Sequence, residues 1–199
     1  MTTRVEFWFD PSCPWAWMAS RWVDTVAAQR DLDVSWKIMS LAILNEDKEV
    51  SPEYRAFFPR AMRLTRLVAG VKEEYGSAYV KPLYDALGTR IHPQSRKDWN
   101  AIIVESVVEA GLQEEAARLA DTEDYDFQLR ESHFDGINRV GEDVGTPVIS
   151  VNGTAFFGPV ISPAPTGEEA LKLWDGVVAV ADYEGFFEIK RTRTADPIF

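Results

Sequence analysis

Cysteine is the scarcest resource in this chain: among 199 residues there is only Cys13. With no second cysteine, an internal disulfide is impossible, and so is the disulfide framework that staples small exported domains. Histidine is almost as rare. His92 and His133 stand far apart, with no Cys-x-x-Cys pair near either, so a metal site is not expected. No glycine-rich phosphate loop or G-x-G-x-x-G run exists, which argues against bound nucleotide. Positive charge is in deficit, with 21 Lys and Arg against 32 Asp and Glu, for a net charge of -11. A nucleic-acid partner needs a basic face, and that balance argues against one. No apolar run approaches the ~18 residues of a membrane span. The amino-terminal stretch also lacks the pattern of a signal peptide, because its few apolar residues run straight into Asp10. An unpaired thiol and no export signal predict a soluble protein in a reducing cytosol.

What is present suffices for a core: hydrophobic residues make up 46% of the chain and aromatics 12%. The length fits one domain, or one domain carrying a sizeable insertion. The chain is organised around Phe9-Asp10-Pro11-Ser12-Cys13-Pro14-Trp15-Ala16. Before it, Arg4 to Phe9 has the composition of a short strand. After it, Trp17, Met18, Trp22, Val23, Val26 and Ala27 recur at helical spacing. Cys13 therefore falls at a strand-to-helix turn, with Pro14 at the first helical position, where its missing N–H costs nothing. Unpaired amides and the positive end of the helix dipole would then favour the thiolate. A thioredoxin-like redox motif would read Cys-x-x-Cys here, but the fourth position is Ala16. The competing reading is a buried structural cysteine.

Val34 to Leu41 alternates like a two-faced strand, completing a βαβ unit whose strands should be parallel. From Ser51 to Val140 the pattern turns helical. Ser51-Pro52-Glu53 is a helix start, and Tyr54, Phe57, Ala61, Leu64, Leu67, Val68 and Val71 form one stripe, interrupted by Pro59. Further helices are predicted over 79–91, 99–110, 112–119 and 125–140, the last with Leu129, Phe134, Ile137 and Val140 inward. Strand character returns at Val148, and Asn152-Gly153 between two apolar runs is a strong hairpin signal. A last helix starts at Thr166-Gly167. The tail from Phe186 to Arg193 alternates apolar and basic residues, as an edge strand would.

Without the helical block, the order β-α-β then β-β-α is thioredoxin-like. The expected architecture is α/β, with a thioredoxin-like domain from 1–48 and 141–199 and an inserted helical domain at 49–140. In that fold the turn facing the active cysteine carries a cis-proline, and Thr146-Pro147 is placed for it. The backbone of Thr146 would then face the sulfur and dock an extended thiol substrate.

At the level of whole stretches the chain resembles the DsbA-like thioredoxin-fold family with a helical insertion. It is most similar to the cytosolic actinobacterial branch typified by mycothiol-dependent nitroreductase. The stretches are WFDPSCPWAW (8–17), SRW (20–22), MSLAILNE (39–46), VGEDVGTP (140–147), VNGTAFFGPV (151–160) and FFEIKRTRT (186–194). The resemblance implies Cys13 as nucleophile, Pro147 as the cis-proline, and a low-molecular-weight thiol, mycothiol, as co-substrate. It implies no flavin, since electrons would come from thiol. Where the nitroreductase pattern has a second cysteine, this chain has Ala16, so the expected chemistry is monothiol exchange with an external thiol.

The expected site is thus Cys13 as catalytic residue with Pro14, Trp15, Thr146 and Pro147 binding substrate or thiol, and a disulfide or other electrophile as the second partner. The alternatives are an enzyme resembling kappa-class glutathione transferases or hydroxychromene-carboxylate isomerases, which stabilise a bound thiolate, and a non-catalytic thiol-binding protein. Trp15 suits stacking on a flat substrate and a place in the core equally well. Asp10 reads as a cap of the turn, with tuning of the thiolate as the second reading. Lys190, Arg191 and Arg193 read as solvated tail charges, with carboxylate binding as the second reading.

Overall fold

The computed structural model describes residues 2–199. Strand β1 (Thr3–Phe9) lies at the centre of a four-stranded sheet, and Val5 to Phe9 are all buried, as a strand covered on both faces requires. Helix α1 (Pro14–Ala27) leads to β2 (Leu32–Ile38), which pairs parallel with β1 from Thr3↔Leu32 to Phe9↔Ile38. Strands β3 (Val148–Val151) and β4 (Thr154–Phe157) form the hairpin, antiparallel to β1 and to each other, giving the order β2-β1-β3-β4. Asn152 and Gly153 sit at φ 52° and 101°. Both central residues thus have the positive φ of a twist-matched two-residue turn.

Between β2 and β3 the chain is helical, with six longer segments and one short turn. The six are α2 (Leu41–Leu44), α3 (Pro52–Tyr75), α4 (Val80–Ile91), α5 (Trp99–Glu109), a 3-10 segment at Glu114–Ala120, and α6 (Asp126–Val140). A shorter 3-10 turn, Ser77–Tyr79, links α3 to α4. The chain closes with α7 (Gly167–Ala181) and an extended tail. No helix among the described residues is long and apolar enough to cross a membrane.

The alternation of β1 sorts its side chains onto two faces. Val5, Phe7 and Phe9 point to α1, α7 and the helical block; Trp8 points to a smaller cluster with Met39, Ile137 and Val148. On the first face Phe9 stacks on Tyr84 of α4 at 3.8 Å, and Trp22 meets Trp174 of α7 at 5.7 Å. On the second, the Trp8 indole donates to the Ser132 carbonyl of α6 at 3.1 Å.

Three local expectations differ from what the chain does. Phe134 is 39% exposed, because α6 presents Leu129, His133, Gly136 and Ile137 to the protein and Phe134 lies off that row. Residues 186–193 form no strand. Phe187 and Ile189 are 84% and 83% exposed, so the alternation has no apolar surface to bury against and pairing has nothing to hold it. Pro59 does not break α3, which runs unbroken from Pro52 to Tyr75.

Gly88 of α4 marks the closest approach of the helical block to α1. A Cβ there would lie 2.2 Å from ring carbons of Trp17. That ring cannot retreat, since the Arg21 guanidinium lies over it at 3.9 Å and Tyr84 and His92 pack around it at 5.7 Å. Alanine gains about 1 kcal/mol of helix propensity over glycine. Overpacking a rigid site costs about 1–3 kcal/mol or more. Gly88→Ala should therefore lose up to ~2 kcal/mol net in urea unfolding, and a stabilising result would disprove the rigid contact.

Candidate active site

The turn between β1 and α1 is built around Asp10, which is wholly buried. Its Oδ1 accepts from the amide and hydroxyl of Ser12 at 2.8 and 2.6 Å, and its Oδ2 accepts from the Leu41 amide at 2.8 Å. One carboxylate thus fixes both the turn before α1 and the start of α2. Burial pushes the Asp10 carboxyl above its ordinary range, opposed by those hydrogen bonds. The Cys13 amide donates to the Asp10 carbonyl at 2.9 Å, which closes the turn and makes Cys13 the residue capping α1.

The Cys13 sulfur has two polar contacts. It accepts from the Ala16 amide at 3.5 Å and donates to the Thr146 carbonyl at 3.4 Å. Thr146-Pro147 is cis, and both residues are buried directly before β3. The Thr146 hydroxyl is buried without a hydrogen-bond partner. The two chain segments expected to meet at the sulfur do so here, 133 residues apart in sequence.

Electrostatics depart from the expectation of a favoured thiolate. Cys13 is 4% exposed, and burial pushes its thiol above the ordinary range. Thr146 and the amides of Ala16 and Trp15 pull the other way by less, and the Asp10 charge adds to the rise. The helix end contributes as anticipated, but losing water around the sulfur outweighs it.

Above the sulfur is a cavity of about 230 Å³. Its floor and near wall are Ser12, Cys13, Pro14 and Trp15, with Leu41 and Ala42 of α2 beside them; Tyr54, Phe57, Phe58 and Ala61 of α3 form the far wall. The near wall was expected. The far wall is the first part of a stripe that the sequence presents as core, since Tyr54, Phe57 and Ala61 continue the helical periodicity of Leu64 and Leu67. Tyr54, 36% exposed, carries a phenol raised by burial and by the negative charges of Asp10 and Cys13.

Both histidines contact backbone at or near the site. His92, capping the end of α4, places Nε2 3.0 Å from the Pro11 carbonyl of the active turn. His133 of α6 accepts from the Ser40 amide through Nδ1 at 3.3 Å, and Ser40 caps α2. Of the tail cations, Arg193 lies 5.2 Å from the centroid of the Trp15 ring. Phe199 packs 5.5 Å from His92, so the tail passes close to the site. Nothing in the sequence order placed these groups beside Cys13.

Comparison with known proteins agrees with this geometry. Residues 12–191 match the family model described as Rv2466c-like, mycothiol-dependent nitroreductase Rv2466c. The chain is 26% identical over 197 residues to the uncharacterized protein Rv2286c of Mycobacterium tuberculosis, covering 96% of this chain and 83% of that one. Among solved structures, the probable DsbA oxidoreductase SCO1869 of Streptomyces coelicolor aligns at TM-score 0.61 and 18% identity, over 98% and 94% of the two chains. A 2-hydroxychromene-2-carboxylate isomerase aligns at TM-score 0.59 and 14% identity, over 88% and 94%. At these identities the structural likeness establishes the fold, a DsbA-like thioredoxin fold.

Proposed function

The chain belongs to the Rv2466c-like family of mycothiol-dependent nitroreductases, and from that premise we propose that it is a thiol-dependent oxidoreductase whose only redox-active group is Cys13. The observation that carries this reading is the position of that sulfur, at the floor of an apolar cavity and against the Thr146 backbone. Pro14 and Trp15 would hold the near side of a bound thiol or substrate, with Thr146 and Pro147 presenting backbone from behind.

The reaction balances with one protein sulfur. Cys13 loses its proton and attacks one sulfur of a disulfide. A bond from Sγ to that sulfur forms, the original S–S bond breaks, and the other half leaves as thiolate. An external thiolate then attacks the mixed disulfide and releases Cys13. The external thiol is obligatory, because no second cysteine can displace the adduct. A small reduced thiol of the mycothiol type fits this role, and a reducing cytosol is the setting that goes with the proposal. We further assign residues 49–140 as the inserted helical domain, with α3 supplying the far wall of the site.

A second reading has its own observation. A buried thiol kept protonated is a poor nucleophile but a suitable S–H donor to the thiolate of a bound cofactor, as in a transferase or isomerase.

Ala16→Cys tests the first reading. It places two sulfurs one helical turn apart, within bridging reach. The variant should form an internal disulfide, seen as a two-proton mass loss, and clear a Cys13 adduct without added thiol at least about tenfold faster than the parent. A parent adduct that clears unaided at the same rate would defeat the monothiol cycle.

A further inference from the structure

Next to the Cys13 cavity lies a second, wider cleft of about 510 Å³. Arg60 and Arg63 of α3 line one side, and Lys97, Asp98, Trp99 and Asn100 at the start of α5 line the other. Its charges are unequally committed. Arg63 grips both oxygens of Asp121 at 2.6 and 2.9 Å and donates to Asn100 Oδ1 at 2.8 Å. Asp98, the only carboxylate of the lining, is covered by Arg96, which also holds Glu105. Arg60 and Lys97 enter no ion pair among the described residues. Acidic residues outnumber basic ones by 11 in this chain, so partners for two cations are abundant. Among the described residues both of these cations are nonetheless uncommitted to a carboxylate.

The cleft and the Cys13 cavity share a wall. Phe57 lines the cavity, and its ring meets that of Trp99 in the cleft at 5.8 Å. Arg60 follows Phe57 by three residues on α3, which sets their side chains about 5–6 Å apart at the root. A molecule with an apolar or aromatic body in the cavity would reach Arg60 and Lys97 with a group one helical turn away. We propose that this cleft is the subsite for an anionic group, a carboxylate, sulfonate or phosphate, on a substrate whose apolar body occupies the Cys13 cavity. Arg60 offers a planar fork to such an anion and Lys97 a point charge. The inference rests on the proposed function only in taking the Cys13 cavity as the place where the reacting end binds.

Binding of 4-nitrobenzoate and of nitrobenzene to the full chain, by calorimetry without added thiol, tests the cleft apart from any chemistry. The anion should bind about tenfold tighter at low salt, a difference of about 1.4 kcal/mol. That preference should shrink in high salt. In Arg60→Gln/Lys97→Gln it should fall to near unity. Equal affinities in the parent, or a preference that survives the double substitution, would overturn the proposal. Both side chains are exposed, and the salt titration needs no variant, so a folding defect cannot mask the answer. A second measurement separates this inference from the redox reading. The parent is treated with 5,5′-dithiobis(2-nitrobenzoate), an anionic aromatic disulfide, and its intact mass is followed. A binding preference with no adduct at Cys13 would sustain the subsite and sink the redox reading. An adduct with no binding preference would do the reverse.

Discussion

Cys13→Ser should leave thiol–disulfide exchange at the uncatalysed background, a fall of roughly three orders of magnitude or more. No other thiol is present to take over the attack, and a hydroxyl in the same place is a far weaker nucleophile. The fold should survive. A serine hydroxyl can donate to the Thr146 carbonyl and accept from the Ala16 amide as the thiol does, so the stability change should be about 1 kcal/mol or less. Activity and stability are therefore separable in this variant, by a disulfide-exchange assay and a urea titration on the same preparation. In the parent, burial raises the thiol pKa, so the thiolate is a minor species at neutral pH. The rate of adduct formation should then climb about tenfold per pH unit through the alkaline range before levelling. A plateau already reached at neutral pH would show a thiolate favoured by the helix end after all. Retention of conjugation or isomerisation by Cys13→Ser, with exchange lost, would favour the transferase-like reading.

Acid should destabilise the protein well above the range in which carboxylates protonate. Burial holds His92 and His133 down to about 4, against an ordinary imidazole value of about 6.5. For His92 the charges of Lys97 and Arg21 add to the effect while the Pro11 carbonyl opposes it; for His133 Arg130 and Lys48 add and Glu46 opposes. Between those pH values the unfolded chain binds protons that the folded chain refuses. The contribution of each histidine is complete above pH ~6.5 and is lost as pH falls through about 4. At about 1.4 kcal/mol per pK unit, the full span of each corresponds to roughly 3–4 kcal/mol. Asp10, whose carboxyl is raised by burial, works in the opposite sense and blunts the loss, since the folded state holds its proton more tightly. Carboxylates lowered by their cations, such as Glu6 beside Lys37 and Arg139, add to the loss only once pH enters the carboxylate range. Urea midpoints measured from pH 7.5 to 4.5 should fall steadily. His92→Gln with His133→Asn, which keep the two polar contacts without a titrating ring, should flatten the curve. An unchanged slope in that double variant would rule the histidines out as its source.

Much of this was legible in order along the chain. A strand ending at Phe9, a proline at the first turn of α1, and the Asn152-Gly153 turn are local signals that depend on backbone preference and spacing over a few residues. The βαβ start followed by a hairpin limited the topology to a thioredoxin-like sheet. The helical block was legible as helices but not as walls. Tyr54, Phe57 and Ala61 carry the same periodicity as Leu64 and Leu67, yet the first three face the cavity and the last two are sealed in the core. Periodicity reports which side of a helix is apolar, not what lies opposite it at each turn. The tail shows the same limit: alternation from Phe186 to Arg193 suggested a strand, but only Phe186 packs, against Phe156 of β4, while Phe187 and Ile189 stay exposed.

The sequence by itself determined that the chain carries a single thiol and that it falls at a strand-to-helix turn. One cysteine at the head of a helix, with alanine in place of a partner, excludes an internal disulfide. Only the tertiary structure decided the state of that sulfur and its surroundings. The helix end favours the thiolate by a local effect within one turn. Desolvation depends on everything packed around the site, including α3 and the Thr146-Pro147 segment, and here it is the larger. The same holds for His92, His133, Arg60 and Lys97. Their charge states and partners follow from contacts between residues tens of positions apart, which the order of residues does not contain until the chain is packed.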